Sequence, residues 1–218
     1  MSPKVSEEHR EYRRRKILEA AIRVFKRKGF EKTTMQDIVD ESGMSRGGVY
    51  LYFSNREDLF KELINFFDKQ QKELINFFDK QQVEEIDLLY QNVSSTWEGV
   101  LRFLEAQEQE IKEVDESLTP VILEYYMIDL REKTKDAFLS NRYQKAVEIL
   151  ELLFQKGVDE EEFKPVIPIS QVARFVVAFL DGLIMEAIYL GTEEVKIQQQ
   201  MNTLRQTLKK LLGVEQTE

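Results

Sequence analysis

The stretch Thr33–Leu59, TTMQDIVDESGMSRGGVYLYFSNREDL, carries three helix starts in little more than twenty residues. Thr34 followed by Asp37 has capping-box spacing and sets a helix start before the apolar positions Met35, Ile38 and Val39. Gly43 ends that helix. Ser45 is a second N-cap, because its hydroxyl can accept an orphan amide proton of the next turn, so a short helix is predicted over about Arg46 to Tyr52. Ser54 with Glu57 repeats the capping-box spacing, and Leu59, Phe60, Leu63, Ile64 and Phe67 continue as an apolar stripe at helical spacing. Three short-linked helices with a tight turn between the first two describe a helix-turn-helix.

The middle helix is the odd one. Gly47 and Gly48 each cost about 1 kcal/mol relative to alanine in a helix interior. Either the segment is a glycine-containing loop, or the missing side chains let it lie close against a DNA backbone or base edge, with Arg46, Tyr50 and Tyr52 reaching around.

Working outward, Ile17, Leu18, Ala21, Val24 and Phe25 mark an amphipathic helix over about Glu11 to Lys28 that Gly29 closes. Phe30 is expected to pack with Ile38, Val39, Val49 and Phe53 as the small core of a three-helix domain. On the other side KELINFFDKQQ, residues 61–71, recurs letter for letter as residues 72–82. Eleven residues advance a helix by close to three turns and about 16 Å, so a tolerated duplication keeps its apolar face in register. Whether one helix spans both copies or breaks near Gln70 and Gln71 is open at this level.

Beyond Val83 the pattern is helical throughout, with helices predicted at about 83–92, 97–113, 119–139, 142–156, 169–190 and 193–212. Their separators include Ser140 with Asn141, residues 157–168, and Gly191 with Thr192. The expected class is all-α. The divisions are an arm (1–8, disordered), a helix-turn-helix domain (9–55), a connecting helix region with the duplication (56–82) and a second helical domain (83–218). Surplus aromatic and soft apolar residues, including Trp97, Tyr125, Tyr126, Phe175 and Phe179, fall in the second half.

Enzyme chemistry has no visible residues. The single histidine, His9, lies in a basic polar arm, and zero cysteines remove disulfides and thiolate metal sites together. No metal-ligand spacing, catalytic motif or phosphate-binding glycine loop occurs, so no metal, catalytic residue or cofactor is expected. The amino terminus lacks the apolar stretch of a signal peptide and no run is long enough to span a membrane, so no membrane partner and a cytoplasmic location are expected.

The net charge of −9 is unevenly spread. Residues 1–60 hold 13 Lys and Arg against 10 Asp and Glu, whereas the remainder holds 18 against 30. A locally basic head on an acidic body suits binding to a polyanion by one face only.

The pattern T-T-M-x-D-I-x-x-x-x-G-M-S-x-G-x-V-Y-x-Y-F-x-N-R-E-D-L, preceded by R-x-K-I-L-x-A-A-x-x-V-F-x-x-x-G-F, closely resembles the DNA-binding domain of the tetracycline-repressor (TetR) family of bacterial transcription regulators. The resemblance covers about Arg14 to Phe60. Two departures are Arg56, where the family commonly has lysine, and Gly48, where it often has a hydroxyl or larger residue. The resemblance implies a homodimeric regulator, expected to act as a repressor, that binds a partly palindromic double-stranded DNA operator. Ser45, Arg46, Gly47, Gly48, Tyr50 and Tyr52 would face the major groove, with Thr34 and Arg56 on phosphates. It also implies a cavity for a small apolar or amphipathic effector in the second half. Trp97, Tyr125, Tyr126, Phe175 and Phe179 are candidate walls, and Glu124, Asp129, Arg174 and Asp181 candidate polar partners. Two last long helices would form a four-helix dimer interface through Gly182, Met185, Tyr189, Met201, Leu204 and Leu208. A helical adaptor that binds protein without an effector, or more remotely a helical enzyme, would be the alternatives.

Overall fold

The computed structural model describes residues 7–75, 95–132 and 137–214, with side chains as far as 65 in the first segment. Among these residues all regular structure is helical. The helices are α1 (Glu7–Lys28), α2 (Met35–Ser42), α3 (Arg46–Tyr50), α4 (Arg56–Ile75), α5 (Thr96–Lys112), α6 (Thr119–Glu132), α7 (Ala137–Asp159), α8 (Ile169–Leu190) and α9 (Ile197–Leu211). The chain divides into two compact units. Met1–Gln70 with Glu116–Lys135 forms one, and Gln71–Asp115 with Asp136–Glu218 forms the other.

In the first unit α1 buries Ile17, Leu18, Ala21, Val24 and Phe25, the stripe expected from spacing. Glu7 and Glu8 in its first turn and Lys26, Arg27 and Lys28 in its last complement the helix dipole. Gly29 follows at φ 78, a left-handed conformation that costs a glycine little. Phe30, Ile38, Val39, Val49 and Phe53 are all buried. The rings that meet Phe30 are Phe25, Phe60 and Tyr125, at centroid distances of 6.0, 4.8 and 4.8 Å.

Tyr125 shows the main departure from the sequence-based division. Helix α6 belongs to the first unit, although it stands more than fifty residues beyond the expected boundary. Tyr125 is 3% exposed and its hydroxyl donates to Glu57 Oε1 at 3.2 Å. Its neighbour Glu124 accepts from the consecutive amides of Phe30 (2.7 Å) and Glu31 (3.1 Å). Glu124 and Tyr125 therefore serve the head's own packing instead of an effector cavity in the second half. Both contacts join residues about seventy to ninety-four positions apart, which no local pattern encodes.

Helix α4 passes through Gln70 and Gln71 and reaches Ile75, so it runs on into the second copy of the repeat. The rest of that copy, the helix expected at 83–92 and the first six residues of the arm lie outside the described residues. Its start also differs from expectation. Asn55 is the cap, with Oδ1 accepting from the Asp58 amide at 2.8 Å and Nδ2 donating to the Asp58 carboxylate at 2.7 Å. Ser54 and Glu57 have the same three-residue spacing one position earlier, and the asparagine competes successfully because its amide serves both halves of the box.

The second unit is built around Leu104, Phe154, Val176, Leu180, Met201, Leu204 and Leu208, all in one buried cluster. Gly157 lies so close to Phe163 that an added Cβ would stand 2.2 Å from the ring. Across the cluster, Glu108 of α5 accepts from Lys112 at 2.8 Å and from Arg205 of α9 at 2.6 Å. These two cations hold Glu108 below the usual carboxylate range against the opposing effect of burial, the largest single influence on it. Glu162 reaches the start of α5, accepting from Thr96 N at 2.9 Å and Trp97 N at 3.2 Å.

Met201, Leu204 and Leu208 are 0–1% exposed within one chain, so they are intramolecular core and not the expected dimer surface. A helix packed in a core and one packed on a partner carry the same apolar period, so sequence alone did not separate them. Two boundaries also moved. Ser140 and Asn141, read as a separator, lie inside α7, where Ser140 Oγ donates back to Ala137 O at 3.0 Å. The last helix starts at Ile197 and not near Glu193, because Lys196 takes φ 54 and ends the preceding turn in the left-handed region.

Candidate nucleic-acid interface

Helix α2 begins at an N-cap whose predicted box is present in full. Thr34 Oγ1 accepts from Asp37 N at 3.2 Å, and Thr34 N donates to Asp37 Oδ2 at 2.9 Å. Gly43 closes the helix in the left-handed conformation at φ 65. Three ion pairs then tie α1 to α2. Arg23 and Arg27 both reach Glu41, at 2.7 and 3.1 Å, and Lys28 reaches Asp37 at 2.7 Å. Lys28 and the Thr34 bonds hold Asp37 down to about 2, and the two arginines lower Glu41 as well.

Much of the cationic surplus foreseen on α1 is therefore spent inside the head. Arg14 is also engaged, with Glu62. Arg13, Arg15, Lys16, Lys26 and Lys32 stay exposed and make no ion pair among the described residues.

Three residues separate the helices, and α3 starts at Arg46 behind its N-cap Ser45, whose hydroxyl accepts from Gly48 N at 3.2 Å. Val49 is fully buried and Phe53 is 5% exposed, which pins the inner side of this helix. Arg46 and Gly47 are exposed, Tyr50 is 40% exposed, and Tyr52 is half-buried. The Arg46 guanidinium lies 5.4 Å from the Tyr50 ring centroid, a cation–π contact that limits where the cation can point. The two glycines differ. A Cβ on Gly48 would stand 3.1 Å from Ser45 Oγ, the capping oxygen, whereas one on Gly47 would meet nothing within 4 Å. Among the described residues nothing asks for glycine at 47.

Two residues assigned to phosphates from the sequence are occupied elsewhere. Thr34 gives both its amide and its hydroxyl proton to Asp37. Arg56 donates through Nη1 to the carbonyls of Glu31 (2.7 Å) and Thr33 (3.0 Å), and its guanidinium lies 4.2 Å from the Phe30 ring centroid. The turn between α1 and α2 is thus gripped from two sides, its amides by Glu124 of α6 and its carbonyls by Arg56 of α4. Exposed Lys32, in that same turn, was passed over by sequence reading, as was Leu51; each carries a signal only once neighbouring positions are known to be buried or paired.

The other candidates are divided between the two units. Tyr126 and Asp129 lie with Glu124 and Tyr125 on α6, in the first unit. In the second unit Trp97 packs partly buried with its ring edge toward Phe163 at 6.4 Å. Phe175 is 39% exposed beside half-buried Phe179, and exposed Arg174 reaches Gln144 at 3.5 Å. Asp181 is exposed as a residue, yet the protein around its carboxyl raises it above the usual carboxylate range, partly offset by Arg142. An open depression of about 250 Å³ is lined by Lys112, Thr192, Glu193, Lys196, Ile197, Gln198 and Gln199, and contains none of these candidates.

Two capped helices joined by a tight turn, with the second presenting a cation, aromatic hydroxyls and bare backbone, form the helix-turn-helix of a DNA-binding protein. Residues 17–63 match the model of bacterial regulatory proteins of the tetR family, and residues 99–198 match that of the tetracyclin repressor-like C-terminal domain. The uncharacterized HTH-type transcriptional regulator YfiR of Bacillus subtilis (strain 168) is 38% identical over 216 residues, 99% of this chain and 100% of that protein. The HTH-type transcriptional repressor Rv1474c of Mycobacterium tuberculosis (strain ATCC 25618 / H37Rv) is 43% identical over 58 residues, 27% of this chain and 31% of its own length. Among solved structures, Salmonella enterica GusR superposes with a TM-score of 0.69 at 22% identity, covering 96% of this chain and 98% of that one. A regulator from Saccharomonospora viridis in complex with choline gives 0.66 at 19% identity, covering 94% and 100%. The chain belongs to the tetR family, and it is a DNA-binding transcription regulator, not an enzyme.

Proposed function

We propose that this regulator acts as a homodimeric repressor that docks α3 of each subunit in the major groove of a two-fold symmetric operator and is released by a small apolar or amphipathic effector. The observation that carries the reading is the outer side of α3, where Arg46 is steadied by Tyr50 and Gly47 has open space above its backbone. Arg46 would pair with O6 and N7 of a guanine. The Ser45 hydroxyl, which accepts from Gly48 N and keeps its own proton to donate, and exposed Lys32, which makes no ion pair among the described residues, would take phosphates in place of Thr34 and Arg56.

Dimerisation is assigned to α8. Phe175, Ala178, Gly182, Met185 and Tyr189 recur at helical spacing along one side, with Tyr189 69% exposed and no atom within 4 Å of a Cβ built on Gly182. A partner helix can approach closely there. Release would act through the grip on the turn between α1 and α2. A shift of α6 or α4 moves Glu124 or Arg56, and with them the start of α2. Half-sites stand about 34 to 36 Å apart per helical turn of DNA, so a change of a few ångströms in head separation removes simultaneous docking.

The test is selection from a random duplex pool at near-physiological salt. A two-fold symmetric consensus, bound with the salt dependence of phosphate contacts, is expected. Absence of enrichment would overturn the reading in favour of a protein-binding adaptor.

A further inference from the structure

The direction in which α3 faces outward follows from its buried side. Val49 and Phe53 point inward, and the helical bonds Leu51 N to Gly47 O (3.1 Å) and Phe53 N to Val49 O (3.2 Å) carry the turn past Tyr50. Leu51 keeps helical geometry at φ −66, ψ −27. At about 100° per residue, the positions opposite Val49 are Gly47 and Leu51, one turn apart. Arg46 and Tyr50 run together along one side of that line. The outermost strip of α3 is therefore a bare backbone followed by an isobutyl group. Leu51 is 75% exposed, the highest value for a large apolar side chain among the described residues.

We propose that Leu51 is a specificity-determining residue that reads the C5-methyl group of a thymine; this rests on the DNA-binding reading of α3 above. Leucine has no donor or acceptor, so against most base edges in the major groove it would strip water from polar atoms without replacing the hydrogen bonds. The thymine methyl is the apolar group presented there, and contact with it costs no hydrogen bond. A cytosine at that position would leave its amine facing the isobutyl group. Leu51 lies five residues beyond Arg46, about 7.5 Å along the helix axis. The thymine should thus fall within roughly two to three base pairs of the guanine read by Arg46, at 3.4 Å per step.

The experiment is the random-pool selection run in parallel on the wild-type protein and on Leu51→Ala, followed by binding to the wild-type consensus with that thymine replaced by deoxyuridine in one half-site. Because Leu51 is exposed, the variant should melt with the wild type, which thermal denaturation checks. We expect Leu51→Ala to lose thymine at one position per half-site while the guanine contact persists. Loss of the methyl should weaken wild-type binding about fourfold, the value of one buried methyl-sized group, and leave the variant unaffected. Thymine retained in the variant's consensus, or wild-type binding indifferent to deoxyuridine, overturns the proposal while leaving DNA binding by α3 intact. No wild-type consensus at all overturns both.

Discussion

Helices α2 and α3 are consecutive, capped and short, yet they follow different rules. Every unusual residue of α2 has an internal reason. Thr34 and Asp37 close the capping box, Gly43 supplies the left-handed cap, and Asp37 and Glu41 receive the cations of α1. Helix α3 has one cap, two glycines in five residues, and an exposed arginine, tyrosine and leucine around them. Gly47 relieves no contact among the described residues and lowers the stability of the helix that holds it. The contrast teaches that α2 is composed for the fold, and that α3 is composed for a surface the fold does not contain.

Substitutions should divide along the same line. Arg46→Ala is expected to cost about 1 to 3 kcal/mol of specific affinity at one base position and little on random duplex. Equal losses on both, read by competition binding, would erase the distinction. On the side of the fold, Glu124→Ala removes a carboxylate from two backbone amides. It should destabilise the head by about 1.5 to 3 kcal/mol in denaturant unfolding, with the base preference of folded protein unchanged. An unaltered midpoint would show that the turn after α1 is held without α6. Thr34→Ala loses a cap, about 1 kcal/mol, and again should leave base preference alone.

Acid should find α2 first. Asp37 is lowered from 3.8 to about 2 in the folded chain, chiefly by its bond to Lys28, so its contribution is fully present above about pH 4 and is lost as pH falls toward 2. Stability measured across that window should fall less steeply in Asp37→Asn. Parallel curves for the two proteins would contradict the role of the Lys28 and Thr34 bonds.

What was legible in the sequence is what is local. Thr34, Asp37, Gly43 and Ser45 announced their caps because the partners lie within three residues, and the α1 stripe announced its face through spacing alone. Asn55 shows how a local signal still goes astray, because two boxes offset by one residue compete and only the bonds decide. Glu124 and Tyr125 were expected to line an effector cavity, and their actual partners, about seventy to ninety-four positions away, leave no local trace. Arg56 read as a free cation at a helix start until the carbonyls of Glu31 and Thr33 were seen to occupy it. Met201, Leu204 and Leu208 carry a stripe that fits a core as well as an interface, and burial within one chain decided for the core.

Gly47→Ala tests the central claim most directly, because stability and binding should move in opposite directions. Adding the methyl group meets no atom of the described residues, so unfolding should require up to about 1 kcal/mol more. Binding of the same variant to the selected duplex should weaken, since the methyl enters the space that close docking uses. A variant that is more stable and binds as tightly as the wild type would contradict the account, because α3 would then carry its glycine for no external surface.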